Sequence, residues 1–299
     1  MTDPAAFLDK RRMRAAFQRA ALSYDSAAVL QREIADRLIE RLDLIRHQPA
    51  CVLDVGSGTG YCSRALVRRY PRARVIGVDI APAMAQMAAR RGRRFAWAGR
   101  HPRERYVCGD AESLPIVSGS VDMVISNLAL QWCNPDAVFA EIARVLRPGG
   151  LLMFTSFGPD TLRELRLAWM SVDDAMHVHN FIDMHDLGDA LVRARLAEPV
   201  MDVERMVLTY PSVLHVLRDL KAIGAHNAAR NRHPGLTGKR HFACFRSAYE
   251  AMAGTDGRIP ASYEVVYGHA WAPAPTSGSQ RRPDGSVTVA LDRLGRGRR

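Results

Sequence analysis

Residues 51–60, CVLDVGSGTG, constrain the fold of this chain more than any other stretch. An apolar run as long as one buried strand ends in a turn that has glycine at every second position. Glycine lets the backbone bend sharply and approach a ligand closely, because it carries no Cβ. A helical pattern begins near residue 62, so the stretch predicts a strand–turn–helix unit of the kind that places ligands at strand ends.

The same alternation of strand and helix continues along the chain. The predicted strands cover residues 51–55, 73–79, 105–110, 121–127, 151–156, 202–209 and 262–270. The predicted helices cover residues 26–46, 62–69, 81–91, 135–146, 159–172, 185–195, 211–224 and 239–253. Strands that alternate with helices, without hairpin signals, predict an α/β fold with a doubly wound, mostly parallel sheet of seven strands.

The pattern also divides the chain into regions. Residues 1–48 are predicted to form an N-terminal helical segment, and residues 49–272 the α/β domain. Within that domain, the regular alternation loosens after the fifth strand, and we predict a helical substrate lid over about residues 158–255. Residues 273–299 are rich in Pro, Gly, Ser and Arg, which predicts a disordered basic tail.

The formal net charge is +11, and the basic residues are concentrated in residues 10–19, in residues 90–105 and in the tail. Such an excess attracts nucleic acid, an anionic membrane or an acidic protein, although solvated surface arginines give the same count. Aromatic side chains are not interleaved with the basic runs, apart from Phe95 and Trp97, which disfavours nucleic acid.

Cysteine and hydropathy patterns predict a cytoplasmic protein without a metal. The five cysteines form no CxxC pair, and the sequence contains neither a signal peptide nor an apolar stretch of membrane-spanning length. His177 and His179 are two positions apart and lack a nearby third ligand, so we expect a structural loop there. The oligomeric state stays open.

Acidic residues lie at the ends of three predicted strands. Asp54 precedes the glycines, Asp79 ends the second strand, and Asp110 ends the third. A carboxylate at the position of Asp79 can accept both hydroxyls of a ribose, and Asp110 with the amide of Ala111 can bind an adenine. Tyr61 stands where a dinucleotide fingerprint needs its third glycine, which disfavours NAD. The three acids and the glycine turn together predict S-adenosyl-L-methionine.

With the RPGG turn at 147–150, these motifs make residues 50–157 resemble the class I S-adenosylmethionine-dependent methyltransferases. The resemblance implies a Rossmann-like fold with the cofactor at the carboxyl ends of the first four strands. The cofactor-binding residues that it implies are Asp54, Gly56, Gly58, Gly60, Asp79, Ile80, Asp110, Ala111 and Asn127.

Two flanking motifs narrow the resemblance. SNLALQWC at 126–133 and LKAIGAHN at 220–227 resemble the malonyl-acyl carrier protein O-methyltransferases of biotin synthesis, and the likeness extends over about residues 14–271. It implies methylation of the free carboxylate of a malonyl thioester, carried by acyl carrier protein or coenzyme A, to the ester that starts pimeloyl synthesis. Acyl carrier proteins are acidic, so basic residues around the pocket would attract them.

Two alternatives stay open from the sequence. One is a different small-molecule carboxyl methyltransferase, such as a trans-aconitate-type enzyme. The other rests on residues 209–232 and 257–268, which also resemble mitochondrial complex I assembly factors of the same superfamily that act as arginine hydroxylases.

The implied chemistry indicates which side chains to expect. A malonyl carboxylate has a pKa of about 3 to 4 and is already ionised, so its methylation needs no general base, only positioning and shielding from water. The predicted catalytic residues are Tyr24, Gln131, Trp132 and Lys221, with Arg163 and Arg166 as secondary candidates. A helix cap at Tyr24 and a solvated Lys221 are the alternatives. Relatives commonly carry arginine at the position of Asn180; if that arginine holds the malonyl carboxylate in them, this chain must use another cation.

Overall fold

The computed structural model describes residues 8–95, 103–230, 237–274, 279–281 and 287–289. Its helices are α1 (Lys10–Ala20), α2 (Tyr24–Ala27), α3 (Val29–Glu40), α4 (Tyr61–Arg69), α5 (Pro82–Phe95), α6 (Pro135–Val145), α7 (Arg163–Met170), α8 (Met184–Arg193), α9 (Val213–Ala222) and α10 (Lys239–Glu250). Its strands are β1 (Cys51–Val55), β2 (Arg74–Asp79), β3 (Glu104–Cys108), β4 (Val121–Ser126), β5 (Leu146–Phe157), β6 (Ala197–Tyr210), β7 (Ile259–Trp271), β8 (Ser279–Arg281) and β9 (Val287–Val289).

Seven strands form one sheet in the order β3-β2-β1-β4-β5-β7-β6, which confirms the predicted α/β class and doubly wound sheet. The first five strands are parallel, and β7 pairs antiparallel with both β5 and β6. The strand order reverses beside β1, between β2 and β4. At such a switch point the loops that follow two neighbouring strands run in opposite directions. A crevice therefore opens between these loops at the carboxyl ends of the strands.

Both faces of the sheet are buried, because successive side chains of a strand point in opposite directions. Val52 of β1 belongs to the hydrophobic cluster that includes α3 and α4, whereas its neighbour Leu53 belongs to the cluster that includes α6 and α8. Strands covered on both faces carry continuous apolar runs, which is why CVLDV and VDMVIS are readable as strands in the sequence.

Two local features differ from the sequence prediction. Residues 10–19 are more than a basic surface run, because α1 begins after Asp9, whose carboxylate accepts the backbone N–H groups of Arg11 and Arg12, and buries Met13 and Ala16. The RPGG segment is a bulge within β5, since the register with β4 shifts between the partners of Val121 and Met123.

The boundaries of the lid and the tail also need adjustment. Residues 158–255 include β6, a strand of the main sheet, so the predicted lid range is not a lid throughout. Within the predicted disordered tail, β8 and β9 pair antiparallel. Of the rest of that tail only residues 273 and 274 are described, and residues 96–102 of the basic run lie outside the described residues.

In the described part of the chain, no helix is long and apolar enough to cross a membrane. The five cysteines, all of which lie in described segments, are free thiols. No group of three or more His, Cys, Asp or Glu side chains in these segments has a geometry suited to a metal ion.

Candidate active site

A cavity of about 680 Å³, the cofactor cavity, lies at the carboxyl ends of β1, β2 and β4. The predicted cofactor residues in its wall are Gly56, Gly58, Asp79, Ile80, Asp110, Ala111 and Asn127. Asp54 and Gly60 are not in this wall. Asp54 lines a neighbouring space of about 750 Å³, the rear compartment, which shares Tyr24, Gly56, Gly58 and Asn127 with the cofactor cavity.

The three glycines of the turn are required for different reasons. Gly56 has φ +73°, and a Cβ there would lie 2.2 Å from Cβ of Ala129, so packing excludes any side chain. Gly58 has φ +53°, and a Cβ there would meet nothing within 4 Å, so its backbone is open to a ligand. Gly60 instead adjoins Tyr106 and Ala88 and precedes α4. Gly60 therefore supports the helix start and does not face the cofactor cavity.

Asp79 is held rigidly at the end of β2. Its Oδ2 accepts the N–H of Gly58 and its Oδ1 accepts the N–H of Ala81, both at 2.8 Å. Only 9% of the residue is exposed, and burial raises the pKa of Asp79 to about 6. Each carboxylate oxygen keeps a second lone pair, so the group can still accept hydrogen bonds from a ligand.

Asp54 is more deeply buried than Asp79 and accepts a hydrogen bond from the hydroxyl of Ser63. Burial, with a smaller contribution from the charge of Asp79, raises the pKa of Asp54 to about 6. Two carboxylates thus lie on adjacent strands beside the glycine turn. A negative field of this kind suits a cationic ligand such as a sulfonium.

Asp110 has a partner that the sequence does not indicate. The Nζ of Lys10 lies 2.7 Å from Oδ2 of Asp110 and 2.7 Å from Oε2 of Glu112. This ion pair fastens the start of α1 over the predicted adenine end of the cavity. Met13 and Phe17 of α1 also line the cavity. The three α1 residues are absent from the predicted site, although the i, i+4 spacing of Met13 and Phe17 was a signal of an apolar helix face.

Asn127 lies in the wall of the cofactor cavity, but its side chain is already hydrogen-bonded. Its Nδ2 donates to the carbonyl oxygen of Gln31 at 3.0 Å, and its Oδ1 accepts from Oγ1 of Thr155 at 2.8 Å. The amide therefore ties the end of β4 to α3 and β5. Its backbone is the part of Asn127 that remains for a ligand.

Tyr24 lies at the junction of the cofactor cavity and the rear compartment. It is half-buried, and desolvation and the nearby Asp79 carboxylate raise the pKa of its hydroxyl well above the ordinary value. The phenol is therefore a neutral hydrogen-bond donor at physiological pH. Its position agrees with the predicted site, and it is the first residue of the short helix α2.

Trp132 connects the cofactor cavity to a second space of about 540 Å³, the inner chamber. The chamber walls also include Phe157, Leu162 and Tyr263. The indole of Trp132 packs edge-on against Phe17 at a centroid distance of 5.5 Å. One face of the active site is therefore shared between the cofactor and whatever occupies the inner chamber.

Gln131 has a different environment from its neighbour Trp132. Its Nε2 donates to the carbonyl of Leu128 at 2.7 Å, while its Oε1 is buried without a partner among the described residues. Gln131 belongs to the lining of neither the cofactor cavity nor the inner chamber. The reason is the 3₁₀ turn Leu130–Trp132, which directs the two adjacent side chains differently.

The inner chamber opens into a wider space, the outer chamber. The residues common to both are Leu165, His177, Leu220, Ala225, His226 and Asn227. Lys221 lines the outer chamber only and is exposed, so the structure does not bring it to the cofactor cavity as predicted. The cause is helical periodicity, because Leu220 faces inward and its neighbour points about 100° away.

The secondary candidates do not line the inner chamber. Arg163 pairs with Glu164, and Arg166 donates from its two Nη atoms to the carbonyls of Pro159 and Thr161. Asn180 is exposed and lies outside the inner chamber as well.

Comparisons with known proteins agree with this geometry. A methyltransferase-domain family model matches residues 53–154, which include the end of β1, the glycine turn and β2 to β4. The malonyl-acyl carrier protein O-methyltransferase of Laribacter hongkongensis is 58% identical over 275 residues, covering 90% of this chain and 92% of that protein. The chain belongs to the malonyl-acyl carrier protein O-methyltransferase family. The enzyme of the same name from Nitrosospira multiformis is 52% identical, with 90% and 91% coverage.

Solved structures support the fold of this family member. The YcgJ protein of Bacillus subtilis superposes with a TM-score of 0.57 at 15% identity, covering 79% of this chain and 97% of that one. A protein of Bacillus halodurans C-125 gives a TM-score of 0.56 at 18% identity, covering 80% and 99%. As a methyltransferase of this family, the protein uses S-adenosyl-L-methionine, as predicted. The open face of Gly58 and the carboxylates of Asp79 and Asp110 fit that cofactor.

We expect cofactor affinity to fall as the pH decreases from about 7 to about 5. Ribose hydroxyls need an ionised Asp79 as acceptor, and burial places the pKa values of Asp79 and Asp54 at about 6. Protons therefore compete with the cofactor below that pH, by up to about tenfold per pH unit for each carboxylate that must ionise. Calorimetric titration with S-adenosylhomocysteine measures this, and an affinity independent of pH over that range would contradict the assignment.

Proposed function

We propose that this protein methylates the free carboxylate of malonyl-acyl carrier protein and so forms the ester that starts pimeloyl synthesis for biotin. The observation that carries the proposal is the position of Trp132, which lies in the walls of both the cofactor cavity and the inner chamber. An acyl group that enters through the outer chamber reaches the cofactor at this junction. The names of the relatives at 52% and 58% identity support the same substrate.

S-adenosyl-L-methionine, when bound, supplies the electrophilic methyl group. Asp79 would bind the ribose hydroxyls, the backbone at Gly58 would approach the ligand closely, and Asp110 with the Ala111 amide would bind the adenine. Trp132 would form the apolar wall that keeps water away from the carboxylate. No side chain has to remove a proton, because the carboxylate is ionised before it binds.

The outer chamber suits an acidic carrier protein. Lys221, Lys239 and Arg240 line it, are exposed, and have no acidic partner among the described residues. The acidic residue of the same wall, Asp173, is hydrogen-bonded to His177 at 2.8 Å. The entrance to the inner chamber thus carries unpaired positive charge, and an acidic partner with a long acyl-bearing arm matches both the charge and the depth.

We expect the double substitution Lys239→Glu and Arg240→Glu to raise KM for malonyl-acyl carrier protein about tenfold at low salt and to leave kcat unchanged. Charges at the rim of a binding site act mainly on the rate at which the two proteins associate. The difference in KM between the variant and the wild type should therefore decrease as salt screens these charges. Both residues lie at the N-terminus of α10, where acidic side chains favour the helix. Steady-state kinetics at low and high ionic strength measure the effect.

The matched control is the double substitution Arg72→Glu and Arg74→Glu. It makes the same change of charge at two exposed positions. These lie beside the start of β2, the end of the strand that is opposite to the cofactor cavity. If the control raises KM as much as the α10 variant does, the outer chamber is not the entrance for the carrier.

Methyl transfer tests the function directly. The protein is incubated with methyl-labelled S-adenosylmethionine and, separately, malonyl-acyl carrier protein, malonyl-coenzyme A, acetyl-acyl carrier protein or trans-aconitate. We expect base-labile label on the malonyl thioesters and none on the acetyl carrier. The proposal fails if both malonyl thioesters stay unlabelled while the cofactor still binds, and label on trans-aconitate alone would favour the other carboxyl methyltransferase.

A further inference from the structure

The inner chamber contains a buried imidazole that is not hydrogen-bonded to any residue in the described segments. His179 is 8% exposed and lies in the chamber wall, where its ring centroid is 4.7 Å from that of Trp132 and 4.5 Å from that of Phe181. Its Nε2 is fully buried without a partner, and neither ring nitrogen is hydrogen-bonded to another described residue. Buried polar groups of proteins nearly always have a partner, so an exception beside an active site points to a ligand.

The walls around His179 contain no charged side chain, although the guanidinium of Arg166 lies close to His179 and its Nε is buried without a partner among the described residues. Among the described residues that line the inner chamber there is no lysine, arginine, aspartate or glutamate. The other polar side chains of this wall differ in their bonding. Thr161 donates to the carbonyl of Glu264 and Asn227 to that of Met176, whereas Gln31 and His226 form no side-chain hydrogen bond with the described residues. His177 is bonded to Asp173. The His179 imidazole is therefore a free polar group of the chamber beside Trp132.

His179 is uncharged at physiological pH. Burial and the neighbouring guanidinium of Arg166 lower the pKa of His179 to about 4. A neutral imidazole has one N–H, which it can donate to an anionic oxygen. Which nitrogen carries that proton is set by the partner that the ring binds.

The chemistry favours a neutral donor at this place. One carboxylate oxygen forms a bond to the methyl carbon, the bond from that carbon to sulfur breaks, and its electron pair stays on sulfur, so an anion and a cation become two neutral molecules. No proton moves. Because charge disappears on the way to the transition state, a lysine or arginine paired with the carboxylate would stabilise the reactants more than the transition state. A neutral hydrogen-bond donor can position the second oxygen of the carboxylate and stabilises the charged reactants less than a cation does.

We propose that the His179 imidazole holds the malonyl carboxylate in the inner chamber, as a neutral hydrogen-bond donor in place of a cationic anchor. This inference rests on the proposed function, since it names the group that recognises the carboxylate of that substrate. It also accounts for the exposed position of Lys221 and for the solvent-facing Asn180, neither of which lines the chamber. His179 is accordingly a residue that selects malonyl over acetyl thioesters.

The test compares the binding of malonyl- and acetyl-acyl carrier protein to the protein loaded with S-adenosylhomocysteine. The wild type should prefer the malonyl form. His179→Phe keeps the aromatic packing but has no donor, and we expect it to reduce the preference at least about tenfold, as for a hydrogen bond to a charged group. His179→Gln and His179→Asn place an amide N–H near the two ring nitrogens, and one of them should recover most of the preference. Cofactor affinity should not change in any of the three.

A preference that persists in His179→Phe overturns the inference, and so does a preference lost in Lys221→Met but kept in His179→Phe. If the Phe variant does not fold, ¹⁵N spectra of the wild-type imidazole decide. A neutral ring whose shifts move with the malonyl but not with the acetyl carrier supports the inference, and an imidazolium or an unmoved ring contradicts it. Failure of the proposed function is a separate result, because it appears as absence of methyl ester with the wild type.

Discussion

Replacing Asp79 by Asn should weaken S-adenosylmethionine binding by at least about 100-fold. Each ribose hydroxyl that donates to a carboxylate is worth about 1.5–3 kcal/mol, and every 1.4 kcal/mol is a factor of about ten. The amide would also present N–H groups to the backbone donors of Gly58 or Ala81, which the carboxylate now accepts at 2.8 Å. Titration calorimetry with S-adenosylmethionine or S-adenosylhomocysteine measures the loss.

Asp122→Asn is the matched control for this substitution. Asp122 also accepts two backbone N–H groups, those of Ala50 and Cys51, and it also lies on a central strand, but at the amino end of β4. Each substitution disturbs the contact of one carboxylate oxygen, a backbone N–H at Asp79 and the ion pair with Arg147 at Asp122, whereas only Asp79 lines the cofactor cavity. Equal losses of cofactor affinity in the two variants would show that Asp79 acts through the fold and not through the ribose.

Replacing Trp132 by Ala should lower kcat about 100-fold, because a carboxylate displaced by about 1 Å from its line of attack loses a factor of that size. The indole lies in the walls of both the cofactor cavity and the inner chamber, and its removal widens this junction and admits water. Trp132→Phe keeps an aromatic wall and should lose less than about tenfold. Single-turnover methyl transfer with the carrier substrate at saturation measures the chemical step.

Trp271→Ala is the control for loss of a large aromatic side chain. Trp271 pairs with Leu151 near the start of the parallel part of β5, packs against His47, and lies at the edge of the sheet away from the cofactor cavity. It should change stability and leave single-turnover rates near those of the wild type. A rate for Trp132→Ala within a few fold of the wild-type rate would contradict the placement of methyl transfer at this junction.

The central part of the fold was predictable from the sequence because its strands are buried on both faces. VDMVIS and CVLDV read as strands. Asp54, Asp79 and Asp110 lie at or near the carboxyl ends of neighbouring parallel strands, which a single linear rule predicts, although only Asp79 and Asp110 line the cofactor cavity. Trp132 was predictable for a different reason, since the family motif SNLALQWC contains it.

The substrate side was less predictable, because its residues come together only through tertiary packing. Lys10 reaches Asp110 over 100 positions in sequence, and nothing local indicates that pair. Lys221 and Leu220 are adjacent in the sequence and both line the outer chamber, but only Leu220 also lines the inner chamber, and a motif that contains both does not tell which one does so. His179 read as part of a structural loop, because burial without a partner is a property of the folded chain alone.

A crystal structure of the protein with S-adenosylhomocysteine and a non-hydrolysable malonyl-pantetheine would test the central claim most directly. The pantetheine arm should pass through the outer and inner chambers, with one carboxylate oxygen beside Trp132 and facing the sulfur, and the other on the imidazole of His179. An arm that enters elsewhere, or a carboxylate bound at Lys221 in the outer chamber, would contradict the account.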